Sequence, residues 1–120
     1  MATFTKILLS GSTGGRPIKV AASGSTGTTI HTTQASSGVT DEVWLYANNT
    51  SVNTVSLTIE LGGTSNPDDR IVIGIPAQSG LSVILPGLVL TGDGSTGRTI
   101  RAFAATANVI NLVGYINRIS

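Results

Sequence analysis

Turn-forming clusters punctuate this chain so often that little but short strands fits between them. Gly62–Asp69, Pro76–Gly80, Pro86-Gly87 and Thr91–Gly97 are all rich in Gly, Pro, Asn, Asp, Ser or Thr. From turn to turn the chain runs about 8–14 residues, the spacing of a sandwich or small barrel. Helix formers never combine into a 3.6-residue period of useful length. Ala102–Ala107 comes nearest, but it is short, and Phe103 and Thr106 suit a strand better.

The runs between the turns have strand periodicity. Val55–Leu61 alternates without a fault: Val55, Leu57, Ile59 and Leu61 on one face, Ser56, Thr58 and Glu60 on the other. That pattern predicts a half-buried antiparallel strand with its polar face toward solvent. Glu42–Asn48 is apolar on both faces, with Val43, Leu45 and Ala47 opposite Trp44 and Tyr46. It reads as a central strand, or as one covered by a partner. Arg70–Ile75, Leu81–Leu85, Thr99–Ala104 and Val109–Ile119 complete the series, with Gly114 marking a bulge or a close backbone approach. The expected fold is all-β: a β-sandwich of eight or nine short antiparallel strands with jelly-roll topology. The 120 residues form a single domain. Residues 39–120 supply its core sandwich, and the Ser/Thr/Gly-rich residues 1–38 form an arm or hairpin that folds on its own subunit or on a neighbour.

The tetrapeptide GSTG occurs at Gly11–Gly14, Gly24–Gly27 and Gly94–Gly97. A phosphate loop of the Walker type needs a Lys after its last glycine, and no copy has one. Gly92–Gly97 matches a dinucleotide fingerprint in spacing, but a strand follows where a helix N-terminus is required. The unequal spacing of the copies excludes a solenoid repeat. They read as hairpin turns, with glycine supplying positive φ and Ser-Thr bonding the local backbone.

Chemistry-bearing sets are missing from the sequence. There is no cysteine and one histidine, His31, in a Thr-rich strand that would leave it at the surface. His31 has no His or Cys companion for a metal, and no serine lies in a G-x-S-x-G context. Asp68-Asp69 lack the acidic spacing of a calcium loop. The reading is a protein without catalytic, cofactor or metal residues, and so not an enzyme. Seven basic and six acidic residues leave a net charge of +1. With Arg16, Lys19, Arg98, Arg101 and Arg118 dispersed, nothing favours a nucleic-acid partner. No apolar run approaches the ~18 residues of a membrane helix, and the short N-terminal run Ile7–Leu9 is no secretory signal. The default compartment is the cytoplasm of the producing cell.

Charged residues are only 11% of the chain. A surface that uncharged does little to keep copies apart, which suits a protein made to assemble. The candidate interface residues are Trp44 and Tyr46, large aromatics on one strand face that serve either as core or as anchors. Asp69 and Arg70, which could pair across a subunit boundary, and the neighbouring Arg98 and Arg101 complete the set.

The stretches TDEVWLYANNTS (Thr40–Ser51), LTIELGGTSNPDDRIVIGIPAQSGL (Leu57–Leu81), LPGLVL (Leu85–Leu90) and IRAFAATANVINLVGYINRI (Ile100–Ile119) resemble a group of small structural proteins of tailed bacteriophages. The resemblance covers about two thirds of the chain. It implies a virion protein that decorates or cements the capsid. Such a protein would be made in the host cytoplasm, would be β-rich and homotrimeric, and would bind between major capsid protein subunits. A tail or fibre module that binds a receptor or carbohydrate is the alternative.

Overall fold

The computed structural model describes residues 2–120. It contains nine strands and, among the described residues, no helix. They are β1 (Phe4–Leu8), β2 (Ile18–Lys19), β3 (Thr28–Thr32), β4 (Thr40–Asn49), β5 (Val55–Leu61), β6 (Arg70–Ile75), β7 (Leu81–Thr91), β8 (Thr99–Ala104) and β9 (Ile110–Ile119). All pairings are antiparallel. One sheet has the order β1-β9-β4-β7, with β2 also on β9; the other has the order β3-β8-β5-β6.

The chain is a β-sandwich, and its strand order follows from one long hairpin rolled up. The first half, β1/β2, β3, β4 and β5, pairs in reverse order with β9, β8, β7 and β6. Rolling then brings β4 onto β9 and β5 onto β8. This is jelly-roll topology. The two sheets bury one contiguous apolar cluster between them. Val43, Leu45 and Ala47 of β4 face Leu57 and Ile59 of β5, with Ile100, Ala102, Leu112 and Ile116 filling the layer. The apolar parity of each strand supplies these residues, since alternate side chains point to the same face.

The weakly patterned first third joins this fold within its own chain. β1 and β2 run in the same direction along one edge of β9, and residues 9–17 loop out between them. Leu9, Ile18, Val20 and Ile30 are buried in the core. The accessible surface is 5982 Å²; a compact monomer of this mass exposes roughly 6,100 Å². Among the described residues no segment is splayed away from the body.

Two local features depart from the sequence reading. β7 does not stop at Leu85 but runs through Pro86-Gly87 to Thr91. Its register with β4 slips twice, at Ile84 and at Gly87, so the Pro-Gly pair is a bulge and not a turn. β7 is an edge strand, where the missing proline N–H costs no ladder bond. The second departure is on β5, whose polar face is not solvated: Thr58 and Glu60 are buried. Thr58 sits between its register partners Val72 and Phe103, and Glu60 lies under residues 25–27 of the β2–β3 connection.

Candidate functional site

The GSTG copies are not hairpin turns. The first is the excursion between β1 and β2 on one edge; the second and third carry the chain from one sheet to the other. In each copy one glycine is forced by close packing. A Cβ at Gly11 would lie 2.6 Å from the Ile30 carbonyl oxygen, and at Gly27 2.6 Å from the Ala102 backbone; at Gly97 it would meet the Thr33 carbonyl. The other glycine of each copy, Gly14, Gly24 or Gly94, stands in open space.

Two copies do cradle an anion, and it belongs to the protein. In the second, the Ser25 hydroxyl donates to Glu60 Oε2 at 2.6 Å and the Gly27 N–H to Glu60 Oε1 at 2.7 Å. In the third, the Ser95 and Thr96 N–H groups donate to Asp93 Oδ1 at 2.8 and 2.7 Å, and the Thr96 hydroxyl to Oδ2 at 2.9 Å. The backbone N–H of Thr96, then that of Ser95, lower the Asp93 pKa to about 2. The first copy borders a polar cleft of about 350 Å³ lined by Ser12, Thr13, Arg16 and Lys19.

His31 is not a surface residue. β3 slips register between Thr29 and His31, and this bulge turns both Ile30 and His31 into the interior. His31 Nε2 meets Asp41 Oδ2 at 2.7 Å, while Nδ1 accepts the Ser10 N–H at 3.0 Å. A ring nitrogen that accepts carries no proton, so the proton is on Nε2 and is donated to Asp41. Asp41 also accepts Arg118 Nε at 2.7 Å and Nη2 at 2.8 Å. Burial lowers the His31 pKa, against the opposing pull of Asp41. Burial alone would raise the Asp41 carboxyl; hydrogen bonds from Arg118 and His31 outweigh it and hold the pKa below the usual range. Chemically this is a neutral imidazole with both nitrogens engaged, beside an ion pair that closes one end of the core. The Ser10 hydroxyl accepts from the Thr32 N–H. Among the described residues no group of three or more His, Asp or Glu is arranged to hold a metal.

The six candidate interface residues lie on two opposite faces. Trp44 and Tyr46 are half-buried on the outer face of the β1-β9-β4-β7 sheet. Asp69, Arg70, Arg98 and Arg101 cluster at one end of the other sheet. There Arg70 and Arg101 flank Glu60 in register, the Arg70 guanidinium lies 5.1 Å from the Phe103 ring centroid, and Asp69 accepts the Ser65 N–H within its own loop. Sequence reasoning found Trp44 and Tyr46 but missed the face they belong to. Its centre is a row across four strands, Leu8–Tyr115–Trp44–Pro86. Trp44 and Tyr115 stack with centroids 6.2 Å apart, and Lys6 Nζ lies 4.8 Å from the Tyr115 centroid. The next row is Lys6–Asn117–Glu42–Val89, in which Glu42 Oε1 accepts from both Trp44 Nε1 and Asn117 Nδ2. Around these rows stand Phe4, Leu8, Val83 and Val89, exposed by 71, 54, 53 and 59%. The register of β1 and β9 reveals this face, since Phe4, Lys6 and Leu8 pair with Ile119, Asn117 and Tyr115 of the partner strand.

Comparison with protein-family models, curated proteins and solved structures returns no match to this chain.

Proposed function

We propose that this chain is a structural virion protein that decorates or cements a bacteriophage capsid by binding between major capsid protein subunits. The observation that carries the reading is the apolar outer face of the β1-β9-β4-β7 sheet, where five aliphatic or aromatic side chains, Phe4, Leu8, Leu81, Val83 and Val89, each expose more than half their surface. Exposed apolar patches of this extent mark interaction surfaces. The phage assignment comes from the resemblance of Thr40–Ile119 to small virion proteins. The rest of the molecule suits the role: a closed sandwich, few charges, and a histidine whose two nitrogens are both occupied. Cryo-microscopy of virions carrying the chain should place its density on the outer capsid shell. Density confined to the tail would overturn the capsid assignment.

A receptor- or carbohydrate-binding role is the second reading, favoured by the half-exposed Trp44–Tyr115 stack. Its polar neighbours Glu42 and Asn117 are already bonded to each other and to Trp44, which leaves few free groups to orient a sugar. Binding to host-surface glycans that disappears in Trp44→Ala would support this reading over the first.

A further inference from the structure

We infer that the outer face of the β1-β9-β4-β7 sheet is covered by the same face of a second copy of this chain. The inference deepens the assembly reading above and rests on it: the apolar face joins copies of the chain, and the joined copies meet the capsid subunits through other surfaces. Three features point to a copy in place of an unrelated partner.

The first is size. β9, β4 and β7, about ten residues long at about 3.4 Å per residue and about 4.8 Å apart, with the five residues of β1 and the two of β2 along the edge, span on the order of 600 Å² in projection. Side-chain relief brings the accessible area toward the ~800 Å² that each partner contributes to a standard interface. The face is therefore large enough for a stable pair.

The second is charge. The four strands present one Lys and one Glu on this side, Lys6 and Glu42, two strands apart in the same row; Lys19 of β2 stands at the far corner. Such a face neither repels its own copy nor attracts a strongly charged partner. Having both signs, it is complementary to itself, as an isologous contact requires. The third is how the interior of the patch is built. Tyr115 and Trp44 are already pre-ordered by the stack and by the bond to Glu42, so docking freezes little new side-chain motion. Rigid aromatics at the centre with aliphatics around them are the anatomy of an interface core.

The chain has no cysteine, so a single introduced thiol reports on one place. Leu8→Cys in β1 and Val89→Cys in β7 lie at opposite edges of the face. Val72→Cys, exposed on the outer side of the other sheet, is the control. Light scattering at micromolar concentration should give a mass above the monomer. Both face thiols should react with a maleimide at least about tenfold slower than in diluted monomer, as buried interface positions do, while Val72→Cys keeps its rate. Leu8→Glu and Val89→Glu should each return the protein to monomer with an unchanged far-ultraviolet spectrum. A monomer at all concentrations overturns the inference. So does an oligomer that Val89→Glu disrupts and Leu8→Glu does not, which would mean pairing along the β7 edge alone. Should either Glu variant misfold, the labelling rates decide. Self-association without capsid binding would sink the virion proposal and leave this inference standing; capsid binding by a strict monomer would do the reverse.

Discussion

Asp41→Ala is the most informative single change, because three donors converge on that carboxylate inside the sandwich. Two come from Arg118 and one from His31, all within 2.8 Å. Hydrogen bonds to a charged acceptor contribute about 1.5–3 kcal/mol each. They are not lost in full, since Arg118 is partly exposed and recovers water. His31 has no such exit, and its Nε2–H is left buried without a partner. Breaking a buried pair from one side costs about 3–5 kcal/mol, and the lower half of that range fits the escape open to Arg118. At about 2.1 cal/mol/K of unfolding entropy per residue, each kcal/mol moves the Tm of a chain this long by about 4 °C. Calorimetry at pH 7.5 should therefore show a fall of about 12–16 °C, and urea titration a lower midpoint with the same slope. Asp41→Asn keeps the volume and an acceptor for His31, and should lose less. A drop of under about 4 °C in Asp41→Ala, below what one stranded buried donor costs, would refute the view that this cluster holds the end of the core together.

Acid should weaken the fold through the same cluster. Burial holds the folded pKa of His31 below its ordinary value of 6.5, so the unfolded chain takes up the proton first. The stability tied to His31 is complete above pH 6.5 and is lost as pH falls below it, with a slope of at most about 1.4 kcal/mol per pH unit. The lowered pKa of Asp41 adds loss in the same direction below the ordinary aspartate value of 3.8. Since the chain has one histidine, His31→Gln should flatten the dependence of Tm on pH between 6.5 and 5; an unchanged slope would contradict the assignment. Within the second GSTG copy, Gly27→Ala should cost about 1–3 kcal/mol by pushing a methyl into the Ala102 backbone. Gly24→Ala, in open space, should stay within about 0.5 kcal/mol of the parent. Equal effects in urea titrations would show that the motif's glycines are not divided in this way.

The strands with clean alternation were legible from sequence, because burial on one face leaves a period-2 record. Thr99–Ala104 and Arg70–Ile75 coincide with β8 and β6, and the doubly apolar Glu42–Asn48 lies within β4, the strand flanked by β7 and β9. The close approach at Gly114 also holds, for a Cβ there would meet the Trp44 carbonyl. What could not be read depends on neighbours far along the chain. Glu60 looked solvated because its strand alternates, yet residues 25–27 fold over it. His31 looked exposed because nothing local announces the bulge that turns it inward. Pro86 looked like a terminator, and only its place on an edge strand explains why it is not. The GSTG tetrapeptides read as turns, but the donors of the second and third copies are aimed at carboxylates supplied from position 60 or from just ahead of the motif, an arrangement that composition alone does not reveal.

The position of β9 sets the order in which the molecule can be completed. It lies between β1/β2 and β4, and Thr3 and Ser120 exchange backbone hydrogen bonds at its end. A nascent chain can close the β5–β6 hairpin as soon as that hairpin emerges. The edge formed by β1 and β2, in contrast, has no partner until translation has passed residue 119. Pairings of such long sequence separation form slowly. Until then Ile7, Leu9, Ile18 and Val20 have no sheet to join, so β1 and β2 stay without a strand partner until β9 is made.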